Sequence, residues 1–225
     1  YFKMSYVIGG KLSSFNERKQ SKKNAKDLME RWERISIRYG MPCNGDIWHE
    51  HPTISTYNTA IAVKAAELQG KRAGLRFLRK IREAFFLNKE NISRENVLLH
   101  CAEQTNLDLQ EFQRDMHANG AVKAFQCDMK TTSEMEIDQF PSLVFLNANA
   151  EEGVKINGYY PYEAYEHVIC EMLGAEATSS EPPPVDGFLK KYPFVATKEI
   201  AVVYNWSASE VEREMKKRVL QQTVE

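Results

Sequence analysis

The sequence predicts an α/β chain in which strands bracket a large helical block. Three observations lead there. Residues 2–8 alternate in polarity, helical periodicity fills residues 55–135, and an apolar run of strand length returns at residues 140–147. With 225 residues, the chain is long enough for one large domain, or one and a half.

Phe2, Met4, Tyr6 and Ile8 alternate with Lys3, Ser5 and Val7, the period-2 signal of a strand. A charged loop with Lys11, Arg18, Lys19, Lys22 and Lys23 follows and reads as a solvated segment. Ala25, Leu28, Trp32, Ile35 and Tyr39 then mark one face of an amphipathic helix, which Gly40 is placed to stop. Residues Met41 to Trp48 form a turn-rich connector.

Within the helical block, Ser55 is placed to cap a helix with Tyr57, Ile61, Ala65 and Leu68 on one stripe, closed by Gly70. A second helix should turn Leu75, Leu78, Ile81 and Phe85 inward. Ser93 should start a third through Val97, Leu98 and Cys101. Leu109, Phe112 and Met116 mark a fourth, and Val122, Phe125, Met129 and Thr132 a fifth.

Phe140 to Asn147 is rich in β-branched and aromatic residues and reads as a strand, with Val154-Lys155-Ile156 as its hairpin partner. Pro161 opens a helix through Tyr165, Val168, Ile169 and Met172, ended by Gly174. Residues 175–187 hold three consecutive prolines among Ala, Thr, Ser and Glu and read as a linker. Beyond it, residues 188–225 form a small helical module: one helix over Ala196–Tyr204, a break at Asn205-Trp206, and a second helix opened by the capping box Ser207 to Glu210. Two short helices bury little by themselves, so this module should pack on something.

Composition narrows the function. The apolar share is 43%, the charged share 27% and the formal charge -1, which leaves no global basic field for nucleic acid and no polybasic membrane patch. Mean hydropathy is -0.51, and no run of about 18 apolar residues exists for a membrane span. The first residues carry no basic stretch ahead of an apolar one, unlike a signal peptide. Cys43, Cys101, Cys127 and Cys170 lie dozens of residues apart without C-x-x-C spacing, so four reduced thiols in a cytosolic protein are expected. Cys101, Cys127 and Cys170 fall in helical patterns and should be core residues, leaving Cys43 as the thiol expected at the surface.

The order of elements resembles the thioredoxin fold with a DsbA-type helical insertion, and residues Glu136 to Phe145 sharpen the resemblance. In that fold the matching segment holds a cis proline ahead of a central strand, so the Phe140–Pro141 bond is expected to be cis. The resemblance also implies a strand and a C-x-x-C helix ahead of residue 1, so the chain is expected to begin mid-fold, with residues 1–174 as the thioredoxin-like domain.

Further runs narrow it: Tyr39 to Gly45, Ala65 to Gly70, Gln126 to Lys130, Glu181 to Pro184, Lys198 to Tyr204 and Glu212 to Lys217 are similar to those of the bacterial YjbH (SpxH) family. That resemblance covers almost the whole chain. It implies a cytosolic adaptor that binds the transcription regulator Spx and promotes its degradation by the ClpXP protease. It also implies a zinc-binding, oxidant-responsive segment ahead of residue 1, so no cofactor or metal residue is expected within this sequence. The alternative is a DsbA-like thiol oxidoreductase whose catalytic dithiol precedes residue 1.

For chemistry within the chain, a metal pair at His49-Glu50-His51 competes with ordinary loop residues, while His100, His117 and His167 read as isolated helix residues. Gly9-Gly10 alone is too weak for a phosphate loop. Phe140, Pro141, Tyr159, Tyr160 and Tyr162 flank the loops that the resemblance places at the partner-facing edge, with Trp48 in the connector before the insert. These six are the expected partner-binding residues.

Overall fold

A computed structural model describes residues 2–9, 22–51, 56–147, 149, 152–178 and 180–221. The loop charges Lys11, Arg18 and Lys19 and the expected cap Ser55 lie outside the described residues. In chain order the described elements are α1 (Lys22–Tyr39), α2 (Ile47–Glu50), α3 (Tyr57–Leu68), α4 (Lys71–Phe86), α5 (Glu95–Gln104), α6 (Leu109–Met116), α7 (Asn119–Glu134), β1 (Ser142–Leu146), β2 (Gly153–Asn157), α8 (Tyr162–Leu173), α9 (Val185–Lys191), α10 (Thr197–Tyr204) and α11 (Ala208–Leu220). Among the described residues no helix is long and apolar enough to cross a membrane.

The chain divides into two compact units. The first takes Tyr1–Asn16, Ser55–Gly74 and Leu107–Ser180; the second takes Glu17–Ile54, Leu75–Asn106 and Glu181–Glu225. The division falls inside α4.

In the first unit, α3 is a central helix rather than an amphipathic one: every residue from Thr59 to Ala66 is buried. Small residues make this possible, because Ala60, Ala62, Ala65 and Ala66 let α6 and α7 approach closely. Phe112 of α6 and Phe125 of α7 are fully buried, and the Tyr57 ring meets Phe125 edge-on at 5.6 Å. Truncating either phenylalanine to Ala should cost about 3–5 kcal/mol. Asp108 caps α6 by accepting a hydrogen bond from the Glu111 N–H at 2.9 Å.

The sheet is the antiparallel pair β1–β2, with Ser142 opposite Asn157 and Leu146 opposite Gly153. Neither strand holds a buried residue, and α8 has none either. The strand expected over residues 2–8 is not formed: this segment runs outside any ladder, with Phe2, Met4, Tyr6 and Val7 all exposed. Alternating polarity makes a strand only where another backbone edge accepts its hydrogen bonds, and among the described residues none is in register with it.

In the second unit, Trp32 of α1 stacks on Phe86 with centroids 5.4 Å apart and meets Trp48 and Phe85 edge-on, both at 5.3 Å. The approach of α2 to α1 requires Gly45, since a Cβ there would lie 2.6 Å from the Met29 carbonyl oxygen. On α4 the inward residues are Phe77, Ile81 and Ala84; Leu75, expected inward, is exposed. The helix expected from Ser93 begins at Glu95, because the Ser93 hydroxyl turns back to Asn91 Oδ1. Gly40 ends α1 with φ +69, the left-handed geometry foreseen for it.

The C-terminal module has a definite seat in this unit. The Arg79 guanidinium of α4 pairs with Glu83 at 2.7 Å and with Glu199 of α10, and donates to the Phe194 carbonyl at 2.7 Å. Glu199 in turn accepts the Ala196 N–H at 2.8 Å. Lys198 lies over Gly40 at the end of α1. The expected Ser207–Glu210 capping box opens α11. Two helices were not legible: α2 (Ile47–Glu50) overlaps the stretch read as a turn-rich connector, and α9 begins at Val185, inside the stretch read as linker, with Pro184 as its N-cap.

Candidate docking surface

Five of the six expected partner-binding residues belong to the first unit and gather at one end of the β-hairpin. The Phe140–Pro141 peptide is cis, and the Pro141 carbonyl accepts the Gly158 N–H at 2.7 Å. That bond extends the β1–β2 register by one step, so the Phe140-Pro141 and Tyr159-Tyr160 segments leave the same end of the hairpin. Ser142 Oγ closes this end, 2.6 Å from the Gln139 carbonyl and 2.9 Å from Asn157 Oδ1. Tyr160 donates its N–H to Tyr165 Oη at 3.0 Å, which ties the loop to α8, where Tyr162 is the first residue.

The rings themselves are open to solvent. Phe140 is 54% exposed, Tyr159 65%, Tyr160 47% and Tyr162 66%. Exposed aromatics grouped on one edge have the composition of a partner anchor, offering large apolar area at low side-chain entropy cost. Trp48 is placed elsewhere: it lies in the second unit, half-buried among Trp32 and Phe85.

Two contacts hold this edge to the helices of its unit. Lys155 of β2 donates to the carbonyls of Met135 and Glu136 at 3.0 and 3.1 Å, a cation at the C-terminal end of α7 where the helix dipole favours it. Residues 2–9 are tied in by the Ile8 N–H, which donates to Asp128 Oδ2 at 2.9 Å. Gly9 follows, packed so closely that an added Cβ would lie 2.4 Å from Phe140 Cε1.

Asp128 in turn faces Lys64, an ammonium 5% exposed in the middle of α3, at 2.5 Å; Glu67 reaches the same nitrogen at 2.8 Å. Burial alone would push the Lys64 pKa down, but hydrogen bonds to Asp128 and Glu67 outweigh it and hold the pKa above its ordinary value. This buried triad was not read from the sequence. The signal was present, because Lys64 is the one charge in the otherwise uncharged run Tyr57 to Ala66.

The thiols are dispersed. Cys101 is buried and Cys43 and Cys170 half-buried, whereas Cys127 is exposed on α7, contrary to the expectation that Cys43 alone would reach the surface. The Cys127 position falls outside the stripe of Ala121, Phe125 and Thr132 that α7 buries. Burial raises the Cys43 pKa. Burial also pushes Cys101 up to about 11, with Glu90 adding to the shift and Lys80 opposing it. His100, His117 and His167 are exposed on helices or their ends. The His49 side chain lies outside the described residues, and among those described no three His, Cys, Asp or Glu side chains converge as a metal site.

A thioredoxin family model matches residues 1–167. The ClpXP adapter protein SpxH of Halalkalibacterium halodurans is 46% identical over 229 aligned positions, spanning all of this chain and 75% of that protein. The protein of the same name in Bacillus subtilis is 48% identical, over 96% of this chain and 72% of its own length. Among solved structures, a Nitrosomonas europaea protein assigned as a disulfide isomerase superposes with a TM-score of 0.60 at 18% identity, covering 69% of this chain and 76% of that one. At that identity the likeness is one of fold.

Proposed function

This chain belongs to the SpxH family of ClpXP adapter proteins, built on a thioredoxin-like fold, and from that membership we infer that it binds the regulator Spx and promotes its degradation by ClpXP. The observation that carries the reading is similarity across the whole chain, including the C-terminal helices that a bare thioredoxin-like domain does not need. An adaptor works by raising the local concentration of a substrate at its protease, so it requires docking surface rather than reactive groups.

The surface at the hairpin end suits a protein ligand. A folded partner normally covers about 800 Å² on each side. With a net charge of -1, long-range steering is weak, so affinity must come from desolvated aromatic contacts with local charge pairs at the rim. Phe140, Pro141, Tyr159, Tyr160 and Tyr162 supply such contacts.

The chain acts without covalent chemistry at its own cysteines. Thiol–disulfide exchange needs a low-pKa thiolate with a resolving thiol beside it; no two cysteines have C-x-x-C spacing, and burial raises the pKa of Cys43 and Cys101. A cytosolic site of action goes with the adaptor reading. The test is reconstitution: purified chain, Spx and ClpXP, with Spx half-life followed by gel. Faster Spx loss with the chain than without it supports the reading, and an unchanged half-life despite active ClpXP overturns it.

A further inference from the structure

An open groove of about 520 Å³ runs along α11, lined by Thr197, Val211, Glu212, Met215, Lys216, Val219 and Leu220. Val211, Met215 and Val219 are four residues apart and form an apolar seam. Val211 is buried against its own unit, Val219 is 50% exposed and Leu220 84% exposed. Glu212 and Lys216, opposite in sign and also four apart, stand exposed on the rim, and among the described residues neither makes an ion pair within the chain.

We propose that α11 is the contact face of a symmetric dimer of this chain, two copies of the helix lying antiparallel across this groove. The argument is self-complementarity. A two-fold axis crossing at the level of Glu214 sets Glu212 of one copy level with Lys216 of the second copy, and the reverse, so both rim charges are satisfied at once. The same axis brings the two Met215 side chains within one residue's rise of the centre, with the exposed Val219 of each copy extending the apolar contact beyond them. Arg213 and Lys217, which would repel their counterparts, fall about 160° and 200° round the helix from Met215, away from the contact. Each element of the pattern demands only its own copy.

The patch is small, so the dimer is weak, with a Kd on the order of micromolar. The experiment is sedimentation equilibrium of the full chain over a wide concentration range, beside Glu212→Lys, Lys216→Glu and the double exchange, with circular dichroism to verify the fold. Wild type should dimerise. Each single reversal sets like charges in both reciprocal pairs and should raise the Kd about tenfold, and the double exchange should restore it. Met215→Gln should weaken the dimer without altering the rim.

A chain monomeric at all concentrations overturns the proposal, as does a dimer indifferent to Glu212→Lys or a double exchange that fails to rescue. If the chain stays monomeric while Met215→Gln loses Spx or ClpX in a pull-down, the groove serves a different partner and the second-copy assignment is wrong. Self-association is measured without Spx, so its outcome is separate from that of the adaptor reading.

Discussion

Replacing Asp128 by Ala should destabilise the first unit by about 2–3 kcal/mol. Removing one partner of a buried ion pair costs about 3–5 kcal/mol when the other charge is left uncompensated. Two features reduce that here: Glu67 still reaches Lys64 Nζ at 2.8 Å, and Asp128 is itself 17% exposed. The freed Ile8 N–H finds water, which adds little. For a chain of this size the loss corresponds to a fall of about 5–10 °C in Tm. Far-UV circular dichroism reads it. Trp32, Trp48 and Trp206 all belong to the second unit, so their fluorescence transition is an internal control that should move less. Hydrogen exchange at the Ile8 amide should accelerate, because Asp128 is its acceptor. The double variant Lys64→Met with Asp128→Leu should recover at least half of the loss, since the charge it leaves unpaired, the Glu67 carboxylate, is 32% exposed and can be solvated. A loss below about 0.5 kcal/mol, or a double variant as unstable as the single one, would refute the reasoning.

The Arg79 clamp makes the second unit acid-sensitive. Burial pushes the Glu199 carboxyl up, but hydrogen bonds from Arg79 and the Ala196 N–H outweigh that and lower its pKa. A depressed folded pKa contributes stability that is full above the unfolded value of about 4.3 and lost as pH falls through the folded one. Wild type should therefore lose about 1 kcal/mol from this pair below about pH 4, discounted for its partial exposure, while Glu199→Gln should show the loss already at pH 7. Urea titration of tryptophan fluorescence checks both. Tyr159→Ala with Tyr160→Ala should weaken Spx binding about tenfold or more by calorimetry and leave Tm unchanged, because both rings are exposed; unchanged affinity would move the docking surface elsewhere. Cys101→Ala should cost about 1 kcal/mol of stability and nothing in Spx turnover at temperatures where the chain stays folded, because Cys101 is a buried packing residue.

Local signals were the legible ones. The stops at Gly40 and Gly174, the Ser207 capping box and the β1–β2 hairpin could each be read from a few adjacent residues, and the cis Phe140–Pro141 bond from the resemblance to the thioredoxin fold. What required the rest of the chain could not. Residues 2–8 carry a strand's alternation, but a ladder is made by a partner edge, which a pattern within one segment cannot report. The α3 stripe reads as amphipathic because Ala is neutral in such a pattern; with every residue from Thr59 to Ala66 buried, it is a central helix. Pro182-Pro183-Pro184 reads as linker, yet a proline is also a good residue to precede a helix, and α9 starts at once. The aromatic edge was foreseen by residue, whereas its anchors, Asp128 and Lys64, come from helices 64 positions apart. Trp48 carried the same aromatic signal as Tyr159, and only packing against Trp32 and Phe85 distinguishes it.

The central claim is that this chain delivers Spx to ClpXP by docking alone. The most direct measurement is the initial rate of Spx degradation by ClpXP as a function of concentration of the Cys43→Ser, Cys127→Ser, Cys170→Ser variant, compared with wild type. The account predicts a saturable acceleration of the same magnitude for both, at sub-stoichiometric as well as equimolar amounts, since an adaptor is released and reused. A well-folded variant that still binds Spx but no longer accelerates its turnover would contradict the account and restore a chemical role to the thiols.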